Sequence, residues 1–300
     1  MATISEVITN FCYRVNVPAP STFIGATDPT ARQYLSLFNF IGNNLRNRPF
    51  QWPQLKRTYT FTTQTNVRAY QLPGDFYRIL ESNQWDATNQ WPMRGPISDY
   101  NYMVREYAVV SLQTRKAFRV IGPTEYIFST SPYTQKSRGY FQIDPAGENN
   151  TDELVLGYLS CNWIWPKDWV TATVYAGGSI VSGVGQMYRT AAGGTSGATR
   201  PNWQTGSGSD GTVTWVVYSE PFTGANDADL VLFDDDLMIE GMRWAYLRAK
   251  GLDYQQERTD WEQMVRNAYA RFDGPQRINM SDEFGDYFDW PNIPAGSWNV

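Results

Sequence analysis

The hydrophobic pattern of this chain changes period twice, and that limits what it can fold into. Residues 1–55 and 225–274 place apolar side chains at helical spacing, whereas 56–220 alternate or run as short apolar stretches between turns. A helical repeat of about 3.6 and a strand repeat of 2 cannot serve the same element. The fold class read from this is α+β. A helical bundle forms from the N- and C-terminal helices, around a large β-rich middle region with an inserted small all-β knob. The expected units are a bundle from 1–55 and 225–274, a β-rich domain at 56–164, a glycine- and aromatic-rich β module at 165–220, and an extended C-terminal arm at 275–300.

The helix ends are written in the residue types that cap helices. Thr3 followed by Glu6 forms a capping box before the stripe Ile4, Val7, Ile8, Phe11 and Val15. Asp28-Pro29 opens a second helix running to about Arg48, with Tyr34, Leu37, Phe38, Ile41 and Leu45 on one face. Gly42 in that helix points to close packing. Near the C-terminus, 234–250 and 254–272 read as an αα-hairpin around Gly251. Leu237, Met238, Gly241, Trp244, Ala245 and Arg248 follow the first period. Leu252, Tyr254, Trp261, Val265 and Ala268 follow the second.

Between these helices, KRTYTFTTQ alternates with Tyr59 and Phe61 on one side. Further strands are VRAYQ, FYRILESNQW, KAFRVIG, TEYIFST, GYFQIDP and ELVLGYLSCNWIW, with one helix starting at Ser98. From Trp165 to Tyr218 the chain is rich in Gly, Ser and Thr and nearly free of charge. A flexible linker needs no core, and Trp169, Tyr175, Tyr188, Trp203 and Trp215 argue for one.

Several function classes lack their chemistry. The chain has no histidine, so Ser-His-Asp and Cys-His nucleophiles and His-containing metal sites are out. Cys12 and Cys161, the only cysteines, read as buried free thiols. Net charge is -5, and the densest basic cluster, Arg46, Arg48, Lys56 and Arg57, is interrupted by apolar residues. Duplex DNA binders usually show a basic stripe, so sequence-specific DNA binding is not expected. No apolar run approaches the roughly 20 residues that span a bilayer, and Met1 to Val17 has no secretory pattern.

The tempting acidic clusters have simpler readings. Asp234, Asp235, Asp236 and Glu240 sit where a helix starts, and negative charge is favourable there. Asp282, Glu283, Asp286 and Asp289 alternate with aromatics in the arm. Residues 191–198, AGGTSGAT, lack the Gly-Lys-Ser/Thr of a phosphate loop. No catalytic set, cofactor site or metal site is assigned, and the chain is not read as an enzyme.

Three stretches resemble the head-to-tail adaptor (neck) proteins of short-tailed bacteriophages. They are the opening pair SEVITNFCYRV and DPTARQYLSLFNFIGNNLRNRPFQW; TFTTQTNVRAYQLPGDFYRILESNQWD with its LPxDFxR turn; and LFDDDLMIEGMRWAYLRAKGLDYQQERTDWEQMVRNAYAR. The resemblance implies a virion protein made in the host cytoplasm that self-associates in a ring, a dodecamer. Its partners would be the portal protein and a downstream tail or nozzle protein. DNA would pass without sequence-specific binding. Interface centres favour aromatics, so the interface candidates are Trp244, Trp261, Phe284, Tyr287, Phe288, Trp290 and Trp298, with Trp244 equally readable as hairpin core.

The module resembles small β inserts of phage virion proteins and aromatic-rich chitin-binding modules, through Trp169, Tyr175, Gly178, Val181, Gly185, Tyr188, Gly194 to Gly197, Pro201, Trp203 and Asp210 to Trp215. Its aromatics are either core or a ligand surface. The alternative function is therefore a carbohydrate-binding tail fibre or baseplate component, which needs Trp169, Trp203 or Trp215 exposed as a flat platform. The family pattern is departed from in size, because 56–220 is largely β.

Overall fold

The computed structural model describes residues 1–107, 115–122, 139–145, 151–203 and 206–272 of the chain. Within them the fold is α+β, with the helices of both chain ends packed together beside a large β-rich middle. The helices are α1 (Ile4–Arg14), α2 (Pro29–Arg46), α3 (Asp99–Tyr107), α4 (Asp235–Ala249) and α5 (Gln255–Phe272).

The caps form as the residue types dictate. The Glu6 amide donates to Thr3 Oγ1 at 3.1 Å and the Thr3 amide donates to Glu6 Oε2 at 2.8 Å, the reciprocal pair of a capping box. Asp28 accepts from the Ala31 amide at 3.0 Å, with Pro29 at the first helical position. α4 is the centre of the bundle and packs on α1, α2 and α5. Phe11, Tyr34 and Tyr246 meet edge-to-face where α1, α2 and α4 converge. The periodicity overreached at the hairpin: Leu252, just past the positive-φ turn at Gly251, is exposed, as is Arg248, the polar member in the last turn of α4.

Gly42 and Trp163 explain how the bundle meets the β region. A Cβ at Gly42 would lie 2.3 Å from the Trp163 ring, so the indole rests directly on the α2 backbone. Its neighbours are Phe38 and Phe233, at 5.1 and 6.2 Å between centroids. Gly42→Ala gains helix propensity but drives a methyl into an aromatic ring. A net loss of about 1–3 kcal/mol is expected in chemical unfolding.

The middle is layered. A four-stranded antiparallel sheet has the order 56–62, 153–160, 76–86, 91–92. A three-stranded sheet, 69–71, 140–144, 117–121, covers one of its faces. Leu154, Leu156 and Tyr158 point into the layer between the sheets, against Phe118, Phe141 and Ile143. Leu159 points the other way and joins Leu80 in the bundle core. A central strand buried on both faces reads as a continuous apolar run, which is why LVLGYL does not alternate.

Residues 165–220 contain a second four-stranded sheet, in the order 180–182, 187–192, 213–218, 207–210. It encloses Tyr175, Val181, Tyr188, Val213 and Trp215. Its lower edge is not separate from the rest: Met187, Ile180 and Tyr218 belong to the bundle's core. TEYIFST, and the arm at 275–300, lie outside the described residues.

Candidate functional site

Trp244, open to interface or hairpin core, and Trp261, an interface candidate, are both buried in the core of the bundle. They are 3% and 1% exposed, with ring centroids 5.6 Å apart. Trp261 Nε1 donates to the Leu237 carbonyl at 2.8 Å, and the Arg48 guanidinium sits 5.4 Å above its ring. Arg48 is held there by a two-pronged bond to Glu262, both arms at 2.7 Å. That bond holds the Glu262 carboxyl below its ordinary value. The cause is simple: α4 and α5 bury this face against each other. The other interface candidates, Phe284, Tyr287, Phe288, Trp290 and Trp298, lie outside the described residues.

The module aromatics divide. Tyr175, Tyr188 and Trp215 are core, with Trp215 fully buried and edge-on to Tyr175 at 5.1 Å. They cannot form a platform. Trp203 is half-buried and lies on Gly208, where a Cβ would be 2.0 Å from the indole. The Tyr188 hydroxyl donates to the Trp203 carbonyl at 2.7 Å and fixes this segment. Trp169 is also half-buried, and its buried Nε1 has no partner among the described residues.

The acidic group at 234–240 is spent on structure. Asp234 Oδ1 accepts from the Asp236 amide at 3.0 Å as the α4 cap. Glu240 accepts from Arg14 at 2.8 Å and from Arg243 at 3.3 Å. Among the described residues no group of three or more Cys, Asp or Glu is placed to hold a metal ion. No described helix is long and apolar enough to cross a membrane. Cys12 and Cys161 are buried and free, and burial pushes the Cys12 thiol up to about 11.

The LPGDF turn has a structural purpose in this chain. Asp75 is buried and accepts from the Tyr158 hydroxyl at 2.9 Å and from Ser160 Oγ at 2.6 Å. Its amide donates to the Ser219 carbonyl, and its carbonyl accepts from the Cys161 amide. The turn therefore ties the central sheet to the end of the module. Burial raises the Asp75 carboxyl above its ordinary value, against the pull of those hydroxyls and Arg57.

Two surfaces were not visible in the sequence. One is a cleft of about 270 Å³ above Asp75, walled by Lys56, Arg57, Trp165, Met187 and Tyr218. The Arg57 guanidinium lies 4.6 Å over the Trp165 ring. Its Nη1 donates to the Gln54 and Lys56 carbonyls at 3.0 and 2.8 Å. The other is the outer face of α3, where Tyr100, Met103, Val104 and Tyr107 are exposed at helical spacing. The opposite face is pinned: Tyr102 is buried under Arg119, and Arg105 pairs with Asp144 at 2.9 Å.

No protein-family model matches the chain, and no curated protein does. Its function is therefore argued from these surfaces and from the resemblance in its sequence.

Proposed function

We propose that the chain is a structural head-to-tail adaptor of a short-tailed bacteriophage, one copy of a ring between portal and tail through which DNA passes. One observation carries the reading: the three stretches that resemble such adaptors form one connected unit. The end of α2 is bonded to α5 through Arg48 and Glu262. Arg78, in the strand after the LPGDF turn, donates to the Pro49 and Phe50 carbonyls at 3.2 and 2.7 Å. Phe50 stacks on Tyr269 of α5 at 4.3 Å. Segments far apart in sequence thus share one wall, as an adaptor bundle with an attached β body requires.

A closed ring needs two unlike faces on each copy. The exposed apolar stripe of α3 is of the kind such a contact covers. The self-contacts, the portal and the downstream tail or nozzle protein are the partners of this proposal. The alternative, a carbohydrate-binding fibre or baseplate component, is left with only Trp169 and Trp203 for its platform, since Trp215 is core.

The C-terminal arm, 275–300, would reach along a neighbour or into a portal cleft, and this gives the proposal a direct test. Deleting 275–300 is expected to leave the thermal unfolding midpoint within a few degrees, about the effect of less than 1 kcal/mol, and to weaken docking to portal-bearing particles in co-sedimentation. A truncated chain that docks normally contradicts the role given to the arm.

A further inference from the structure

We infer that the cleft over Arg57 is a docking site for the acidic, aromatic segment 281–290 of this same chain. The cleft presents cationic donors that the fold leaves open. Stacking on Trp165 occupies one face of the Arg57 guanidinium. Only its Nη1 is bonded, so Nε and Nη2 have no partner among the described residues. Lys56 stands exposed at the rim, with no carboxylate partner among the described residues. Asp75 is the one carboxylate in the lining, and its oxygens are taken by Tyr158 and Ser160. Asp75 attracts Arg57 by charge, but no hydrogen bond joins them. A bidentate acceptor with an apolar neighbour fits this arrangement: the carboxylate meets Arg57 and Lys56, and the aromatic ring meets Met187 and Tyr218.

The segment has that chemistry. Asp282, Glu283, Asp286 and Asp289 alternate with Phe284, Tyr287, Phe288 and Trp290, and no Lys or Arg follows Arg277. It also starts in reach. Tyr269, in the last turn of α5, stacks on Phe50, and Phe50 and Trp52 lead through the turn Pro53–Leu55 into Lys56. The ten residues from Phe272 to Asp282 can span up to roughly 33 Å when extended. Docking of this segment in the cleft does not depend on the adaptor reading.

Zero-length carbodiimide coupling of the full chain, with peptide mapping by mass spectrometry, tests it. The chain has five lysines, so the partner of Lys56 is identified unambiguously. The expected product is an amide between Lys56 and Asp282, Glu283, Asp286 or Asp289. Arg57→Gln is expected to lower its yield roughly tenfold, the effect of one lost charged hydrogen bond, while coupling at Lys167 stays unchanged. Mixing light and heavy isotope-labelled protein is expected to give coupling within one copy, and a segment supplied by a neighbouring copy overturns docking within the chain. Coupling of the segment only to other lysines, or none at all, overturns it. So does an Arg57→Gln yield equal to that of the native chain.

Discussion

Replacing Lys116 with methionine is expected to cost about 3–5 kcal/mol of stability, because it strands two carboxylates in a buried site. Lys116 Nζ bonds Asp86 Oδ2 at 2.5 Å and Asp152 Oδ2 at 2.8 Å, with all three side chains about a tenth exposed or less. Asp86 ends the strand 76–86 and Asp152 directly precedes its ladder partner 153–160, whereas Lys116 directly precedes 117–121 of the other sheet, so the ammonium joins the two sheets. Burial alone would raise the Asp86 carboxyl, but bonds from Lys116 and Asn89 outweigh it and hold it below its ordinary 3.8. Burial would lower Lys116, but bonds from Asp152 and Asp86 outweigh it and hold it above 10.5.

The pH dependence follows from those directions. A depressed carboxyl contributes stability above its unfolded value, and that share is lost as pH falls through the folded one. A raised amine contributes below its unfolded value, and that share is lost as pH rises through the folded one. The gap between native chain and Lys116→Met should therefore be widest around neutral pH, close on acidification as carboxylates take up protons in both chains, and close again as pH rises past about 10.5 and the native amine loses its proton. Adding Asp86→Asn and Asp152→Asn to the variant should recover over half the loss, since neutral groups carry no such desolvation cost. Urea unfolding across this pH range measures both. An unchanged midpoint in Lys116→Met contradicts the account of the network.

Trp261→Ala is expected to lose about 3–5 kcal/mol in the unfolding of the chain itself. The indole fills the space between α2, α4 and α5, bonds the Leu237 carbonyl, and supports the Arg48 guanidinium that reaches Glu262. Alanine leaves a cavity and loosens the link from α2 to α5 together. The contrast with an interface residue is sharp: a tryptophan used between copies would weaken assembly and leave the single chain as stable as before. Equilibrium unfolding at low protein concentration separates the two. A loss of under roughly 1 kcal/mol would return Trp261 to the interface.

Helix positions were legible because caps and turn residues are local. Thr3, Glu6, Asp28 and Pro29 state where α1 and α2 begin, and the structure starts them there. Period reveals that a helix has an apolar face, but not what that face meets. In α3 the stripe of Tyr100, Met103, Val104 and Tyr107 turns outward, because Tyr102, Arg105 and their partners Arg119 and Asp144 hold the other side in place. In α4 and α5 the face proposed for a neighbour is consumed inside the hairpin. The Arg57 cleft was illegible for a different reason. Its walls come from near residues 57, 75, 165, 187 and 218, and only a settled strand order brings these together. The interrupted basic cluster Arg46, Arg48, Lys56, Arg57 was its one trace in the sequence. There Arg48 is spent on Glu262, Arg46 lies over the Tyr77 ring, and Arg57 faces the cleft.

The adaptor reading is tested most directly by electron microscopy of the purified chain, alone and mixed with portal-containing particles. The account predicts rings of this chain seated at the portal vertex, with the bundle toward the portal and the β body away from it. Single copies in both samples, with no density gained at the portal vertex, would contradict it.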